Sequence, residues 1–179
     1  MDWVGKKVHL GCGVHLLSGW VNVDAAPLPG VDVALDLHTG LGQIPDNQVE
    51  WVYASHILEH IYPNVLPEVM SHLYRMLRPD GVLTVATIDI NGIYNDWYKS
   101  GAANGTAWTS ALYGSVTSRD NPLDAHRDCF DFPKLARIFA TAGFRNVRGW
   151  EYAKYPQLAA LNDCGLSCRA VSVLVEGDK

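Results

Sequence analysis

Several features that mark large classes of proteins are missing from this chain of 179 residues. It has only four cysteines, Cys12, Cys129, Cys164 and Cys168, and their spacing forms neither a disulfide framework nor the paired CxxC motifs of a zinc site. Its longest apolar runs have the length of a strand, and its first residues lack the apolar core of a secretory signal. We therefore expect a cytoplasmic protein that does not insert into a membrane.

Positive charge is scarce as well. The 14 Lys and Arg residues are outnumbered by 19 Asp and Glu residues, so the chain offers no basic surface for DNA or RNA. We expect no nucleic acid partner. The chain also lacks repeats and low-complexity tracts, and its length predicts one domain over residues 1–179.

Residues 7–24, KVHLGCGVHLLSGWVNVD, are the stretch around which the chain is organised. They predict a buried strand, a glycine turn and a second strand that ends at Asp24. Gly11 and Gly13 remove side chains where the backbone turns sharply and approaches a ligand. In a parallel sheet the carboxyl ends of neighbouring strands face one crevice, where an acid such as Asp24 can accept hydrogen bonds from a ribose.

This turn does not fit a nicotinamide dinucleotide site. Leu16 stands where that fingerprint has its third glycine, and the connection to the second strand is too short for a crossover helix. The pattern favours a mononucleoside ligand without phosphates and disfavours a nucleotide-sugar oxidoreductase.

Hydrophobic periodicity predicts an α/β fold for the rest of the chain. One predicted helix begins after Asp131, which is suited to an N-cap, and ends before Gly143, which is suited to a C-terminal stop. The alternation favours a doubly wound, mostly parallel twisted sheet with helices on both faces. The predicted strands are 31–37, 49–54, 82–88, 144–151 and 170–176, the predicted helices are 65–77 and 132–142, and RPDG at 78–81 is a predicted turn.

Three motifs occur in order: LGCG at 10–13, GWVNVD at 19–24 and SHILEH at 55–60. Together they resemble a short branch of the class I S-adenosylmethionine-dependent methyltransferases. The resemblance implies a Rossmann-like sheet of about seven strands, in which the last strand is antiparallel and lies between the fifth and the sixth. It also implies S-adenosyl-L-methionine as the cofactor and methyl transfer as the activity.

Nine residues are assigned to this cofactor. Asp36 and Leu37 would lie beside the adenine by resemblance, although Asp36 can equally be a turn or helix cap. Ser55 and His56, at the end of a predicted strand, would reach the amino acid part. The whole predicted set is Leu10, Gly11, Cys12, Gly13, Asp24, Asp36, Leu37, Ser55 and His56.

Histidines are concentrated near the predicted crevice. Such a cluster can deprotonate an acceptor, bind a metal with Glu59, or simply be satisfied polar residues. No metal-binding spacing is present, so we predict no metal. In related methyltransferases the pair at Glu59 and His60 lies at the active-site floor, which implies substrate contact for Glu59 and catalysis for His60. The histidines before residue 61 are His9, His15, His38, His56 and His60.

An aromatic-rich insertion at about 89–131 is predicted to cover the crevice. Its aromatic residues, among them Trp97, can stack on a flat or sugar-like acceptor or simply pack the insertion onto the domain. His126 is a second candidate base. Arg127 can grip a carboxylate or phosphate of the substrate, or pair with Asp128 on the surface.

The acceptor is the least determined part of the prediction. A sugar hydroxyl in glycan or cell-surface polysaccharide synthesis is the first hypothesis and a small metabolite the second, while a non-catalytic module that retains the fold is the alternative. His9 and His15 replace an acid and a glycine found in many relatives. No helical region precedes the first strand, which predicts an open site that a glycan, a second copy or a partner subunit would close.

Overall fold

A computed structural model describes residues 1–99, 107–114, 124–161 and 171–179. The strands are β1 Lys7–Leu10, β2 Val21–Asp24, β3 Val33–Ala34, β4 Val49–Ser55, β5 Leu77–Ile88, β6 Arg145–Gly149 and β7 Ser172–Asp178. The helices are α1 Leu66–Met76, α2 Ile90–Gly92, which continues as a π-helix over Ile93–Lys99, α3 Ala107–Tyr113, α4 Phe132–Ala142 and α5 Pro156–Leu161.

The seven strands form one sheet in the order β3-β2-β1-β4-β5-β7-β6. Strands β1 to β5 pair in parallel, whereas β7 is antiparallel to both of its neighbours. The predicted α/β, mostly parallel fold and the insertion of β7 between β5 and β6 are confirmed. Because Leu10 pairs with both Val23 and Ala54, the carboxyl ends of β1, β2 and β4 are level at one edge.

The two faces of the sheet are covered unequally. On one face, alternate residues such as Val8 and Val85 join the main core with α1 and α4. On the other face, Tyr53 packs with Trp150 and with Leu158 of the short helix α5. Helices therefore lie on both faces, and among the described residues the second face is covered mainly by aromatic side chains and the short helix α5.

The ends of α4 follow the sequence prediction. The Asp131 side chain accepts a hydrogen bond of 2.8 Å from the Lys134 backbone N–H, and Gly143 terminates the helix at φ +105°. Apolar residues on one side of α4, Leu135 and Phe139, are buried against the sheet. The caps and the apolar face together explain why the helix forms here.

Two predicted boundaries are wrong. Strand β3 has two residues instead of seven, because the chain turns at Asp36, whose carbonyl accepts a hydrogen bond of 2.7 Å from the Gly40 N–H. Strand β5 begins at Leu77 instead of residue 82, because Leu77 already pairs with Val49. The predicted turn at 78–81 is retained within the strand: Val82 pairs with Trp51, so residues 78–81 loop out opposite one residue of β4, with Asp80 at φ +61°.

The described parts of the 89–131 insertion pack onto the end of the sheet. Ile93 and Ala111 are buried with Ile88 of β5 and Val171, which precedes β7. Among the described residues, no helix is long and apolar enough to cross a membrane.

Candidate active site

A cavity of about 430 Å³ opens at the carboxyl ends of β1 and β2, within the size range of small-molecule sites. It lies at the edge of the sheet where the sequence predicts the crevice. Its described lining residues are Gly11, Asp24, Ala25, Ala26, Leu28, Leu35, Asp36, Leu37, His38, Ile57, His60, Ile61 and Asp124.

The glycine turn after β1 forms one wall of this cavity. A Cβ atom on Gly11 would stand 1.9 Å from Ile57 Cδ1, so this position requires glycine. A Cβ atom on Gly13 would meet nothing within 4 Å, which leaves its backbone accessible. Leu10 and Cys12 are buried, and the Cys12 N–H donates to the Val23 carbonyl over 3.1 Å. The turn therefore exposes backbone rather than side chains.

Asp24, at the end of β2, faces the glycine turn and accepts a hydrogen bond from it. Its Oδ2 accepts from the Gly13 N–H over 2.8 Å, and its Oδ1 accepts from the Ala26 N–H over 2.9 Å. A carboxylate has about four acceptor positions, so two remain for a ligand. The side chain is half-buried and lines the cavity.

Asp36 both lines the cavity and caps a turn. Its Oδ1 accepts from the His38 N–H over 2.8 Å and lies 3.0 Å from His38 Nδ1. The backbone N–H of His38, more than its ring, lowers the pKa of Asp36 below its ordinary value. Leu37 lines the same wall. The sequence left two roles open for Asp36, an adenine contact and a turn cap. One conformation of the side chain allows both roles.

Ser55 and His56 end β4 just beneath the cavity wall. His56 adopts φ +51°, and its ring nitrogens contact Glu59 Oε1 at 2.9 Å and Ser172 Oγ at 3.0 Å. Ser55 is buried, and its Oγ has no hydrogen-bond partner in the described part of the chain. The next residue, Ile57, lines the cavity, whereas Ser55 and His56 are not among its described lining residues.

Glu59 is a buried anion behind the cavity floor. Its Oε1 accepts from His56, and its Oε2 accepts from Thr87 Oγ1 over 2.7 Å. Burial alone would raise the pKa of Glu59, but the hydrogen bond and charge of His56, the charge of His60 and the Thr87 hydroxyl outweigh burial and lower it to about 2. The carboxylate is therefore charged and held in place, with no exposure to solvent.

His60 and His126 meet at the other end of the cavity. Their ring centroids are 4.8 Å apart in an edge-to-face arrangement, and His60 lines the cavity. His126 Nδ1 lies 2.8 Å from the Ala111 carbonyl, and since a carbonyl only accepts, Nδ1 carries the proton. Burial, more than any other effect, lowers the pKa of His126, which favours the neutral ring with Nε2 unprotonated.

Arg127 follows His126 in the chain and contacts Tyr62, whose ring centroid lies 6.3 Å from that of the cavity-lining His38. The guanidinium of Arg127 stacks on the Tyr62 ring, 4.8 Å from the ring centroid, and the backbone N–H of Arg127 donates to the backbone carbonyl of Glu59 over 2.6 Å. Asp128, the alternative partner considered from sequence, forms an ion pair with Lys134. Tyr62 and Arg127 thus form a cation–aromatic pair next to the cavity.

The remaining predicted acceptor contact, the Trp97 side chain, lies outside the described residues. Tyr94 and Tyr113 of the insertion are exposed, and Asp124 contributes to the cavity lining. The sequence analysis missed the apolar wall formed by Ile57 and Ile61. Ile57 lies within SHILEH and Ile61 directly follows it, so the apolar residues of this motif were the signal that could have predicted the wall.

A sequence model of a protein family, described as "Methyltransferase domain", matches residues 6–148, which is more than half of the chain. This chain belongs to the methyltransferase domain family. No curated protein sequence matches this methyltransferase.

Solved structures show the same fold for the methyltransferase. An S-adenosylmethionine-dependent methyltransferase from Archaeoglobus fulgidus is 16% identical, with 99% of this chain and 87% of that chain covered and a TM-score of 0.64. One from Mesorhizobium loti is 16% identical, with 100% and 93% covered and a TM-score of 0.57. A putative methyltransferase of Haloferax volcanii, solved with the Trm112 methyltransferase activator, is 12% identical, with 98% and 84% covered and a TM-score of 0.56.

The cavity of this methyltransferase has the features that a ligand with a ribose and a flat ring needs. Asp24 offers two acceptor positions to a ribose diol, and the open side of Gly13 admits a ligand against the backbone. Leu35 and Leu37 supply an apolar wall suited to a flat ring.

Proposed function

We propose that this methyltransferase methylates a hydroxyl group, with sugars and glycans as the acceptor class. One observation carries the proposal: a single cavity joins the Gly11 turn and Asp24 to His60, whose ring meets that of His126. Groups suited to the methyl donor and groups suited to take a proton therefore share one crevice.

The donor end is assigned to the residues around the glycine turn. S-adenosylmethionine supplies a methyl group bonded to a positively charged sulfur. Asp24 accepts hydrogen bonds from the ribose, and Asp36 and Leu37 lie against the adenine. The backbone of Leu10, Gly11, Cys12 and Gly13 is assigned to the middle of the cofactor. The end of β4 is assigned to its amino acid part, with Ile57 in the cavity wall and Ser55 and His56 directly before it in the chain. This arrangement favours an enzyme over a non-catalytic module, because the acid that a degenerate site would lose first is present and correctly held.

The acceptor end is assigned to the two histidines. With Nδ1 protonated and donating to Ala111, the neutral His126 ring has its lone pair on Nε2 and can take the proton of an acceptor hydroxyl. His60 lines the cavity and its ring contacts that of His126, so the pair brings a base to the acceptor side of the cavity. Glu59, although buried, acts on the acceptor through its negative charge, which polarises these rings from within 4.8 Å of their nitrogens.

The rim supports a sugar as acceptor. Tyr62 is 49% exposed, and an aromatic ring of this kind packs well against the apolar face of a sugar. Arg127, stacked on it, is suited to a carboxylate or phosphate on the same acceptor. Trp97 is proposed as a further acceptor contact. We propose that a second copy or a partner subunit closes the open side; one neighbour with this fold is solved in a complex with a methyltransferase activator.

The test is a methyl-transfer assay with labelled S-adenosylmethionine and a panel of neutral sugars, uronic acids, nucleotide sugars and small phenols. We expect turnover with a sugar, and a loss of about 10²- to 10⁴-fold in kcat for His126→Asn, the usual contribution of a general base. His72→Asn, an equivalent change on the far helix α1, is the matched control. Turnover with phenols alone would contradict the sugar assignment, and an unchanged kcat in His126→Asn would contradict the role of His126.

A further inference from the structure

We infer that Glu59, His60 and His126 form a binding site for one divalent transition-metal cation. The three side chains each present one ligand atom, and these atoms lie within 4.8 Å of one another. Two imidazoles and one carboxylate are the ligand set of many catalytic zinc and non-haem iron sites. The sequence analysis predicted no metal, because ligands from two distant segments leave no spacing motif.

The hydrogen bond of His126 is the first observation that carries this inference. Its Nδ1–H donates to the Ala111 carbonyl over 2.8 Å, which fixes the ring and directs the Nε2 lone pair away from that bond. Metal-binding histidines are usually held in this way, with the other ring nitrogen donating to a carbonyl or carboxylate. The residue is already in the tautomer that a cation requires.

The second observation is an orphaned nitrogen on His60. Its Nδ1 is buried and has no hydrogen-bond partner within residues 1–99, 107–114, 124–161 and 171–179. Buried polar atoms without a partner are rare in folded proteins and call for an explanation such as an ion. A cation shared with His126, whose ring is 4.8 Å away, would satisfy this nitrogen.

The third observation concerns the buried carboxylate. His56 and Thr87 each donate one hydrogen bond to Glu59, one to each oxygen, and so hold it rigidly while leaving further lone pairs. A carboxylate buried away from water normally has a charged partner or coordinates a metal, and beside His56 the Glu59 oxygens still have lone pairs for a cation. A carboxylate that binds a metal is usually oriented by hydrogen bonds from neighbouring residues, and His56 and Thr87 supply such bonds here.

The distances fit a cation once the three ligands converge on it. Around one tetrahedral metal, ligand atoms at about 2.0–2.2 Å from the ion are about 3.3–3.6 Å from one another. The present atoms lie within 4.8 Å of one another, so their separations would close by at most about 1–1.5 Å when the cation binds. Three protein ligands leave coordination positions open, and His60 borders the cavity at which an acceptor oxygen would arrive.

With the cation bound, the two imidazoles are ligands, and the cation takes over activation of the acceptor. A hydroxyl oxygen bound to the cation has a lowered pKa, so its proton passes to solvent water and the oxygen keeps the electron pair as a nucleophile. This catalytic role rests on the proposed function, whereas cation binding does not.

The experiment uses the full chain after removal of metals with a chelator. Calorimetric titration with Zn²⁺, and titration with Co²⁺ followed by visible absorption, are expected to show one site per chain. His126→Ala and His60→Ala should each weaken cation binding by at least about 100-fold. Loss of a residue that only hydrogen-bonds to a metal ligand costs about 10- to 100-fold in metal affinity, and loss of the ligand itself costs more. His72→Ala should bind the cation like wild type.

Far-UV circular dichroism of the same variants shows that they are folded, and titration with S-adenosylhomocysteine shows that wild type is competent to bind its ligand. If wild type binds S-adenosylhomocysteine and takes up no cation, the inference is overturned and the histidines remain bases. It is also overturned if cation binding survives both histidine substitutions, or if Co²⁺ shows the intense charge-transfer band of thiolate ligands. Failure of wild type to bind S-adenosylhomocysteine would instead count against the proposed function.

Discussion

Replacing Gly11 by alanine is expected to destabilise the protein by about 2–5 kcal/mol. At φ +63° a Cβ atom costs about 1–2 kcal/mol in the backbone alone. The same Cβ would lie 1.9 Å from Ile57 Cδ1 and 2.2 Å from Ile57 Cγ1. Rotating the end of that side chain cannot clear both atoms, so Ile57 must shift in its packed site, at a further cost of about 1–3 kcal/mol.

Gly13→Ala is the matched control for this prediction. It has a similar φ of +51°, but its Cβ would meet nothing within 4 Å, so only the backbone cost of about 1–2 kcal/mol applies. Urea unfolding without cofactor, followed by tryptophan fluorescence, gives both free energies. In an Ile57→Ala background the extra cost of Gly11→Ala should disappear. Equal losses for Gly11→Ala and Gly13→Ala in the wild-type background would refute the steric argument.

Two further predictions concern Cys12 and the start of α4. Burial, reinforced by the nearby charge of Asp24, raises the pKa of the Cys12 thiol to about 11, so its alkylation should be slow at pH 8 and accelerate only as the pH rises toward 11. Peptide mass spectrometry measures this, and labelling at pH 8 as fast as in urea would contradict it. Asp131→Ala should cost about 1 kcal/mol in urea unfolding and Asp131→Asn much less, because asparagine also caps helices; equal losses would show that the cap is not responsible.

Local sequence signals predicted the framework of the site. The glycine turn and Asp24 follow adjacent strands, so their meeting follows from parallel pairing alone. The α4 boundaries were predictable because Asp131 and Gly143 act within one turn of the helix. The short length of β3 was not predictable. The seven residues predicted for it have a strand-like pattern, but the turn centred on Asp36 ends the strand early.

Contacts between distant segments were beyond prediction. His60 and His126 were both candidates, but only the folded chain shows that their rings meet and that the carbonyl of Glu59 anchors residue 127. The fit of Ile57 over Gly11 likewise depends on how the end of β4 packs on the turn after β1. Such side-chain packing is set by the whole core rather than by any motif.

The most direct test of the account is calorimetric titration of S-adenosylhomocysteine into wild type, Asp24→Asn and Asp80→Asn. Asp80 is an exposed acid at the opposite edge of the sheet, and its φ of +61° also suits asparagine. We predict that Asp24→Asn weakens binding by about 1–3 kcal/mol, the value of hydrogen bonds to a charged group, and that Asp80→Asn binds like wild type. Equal affinity of Asp24→Asn and wild type would contradict the placement of the cofactor in this crevice.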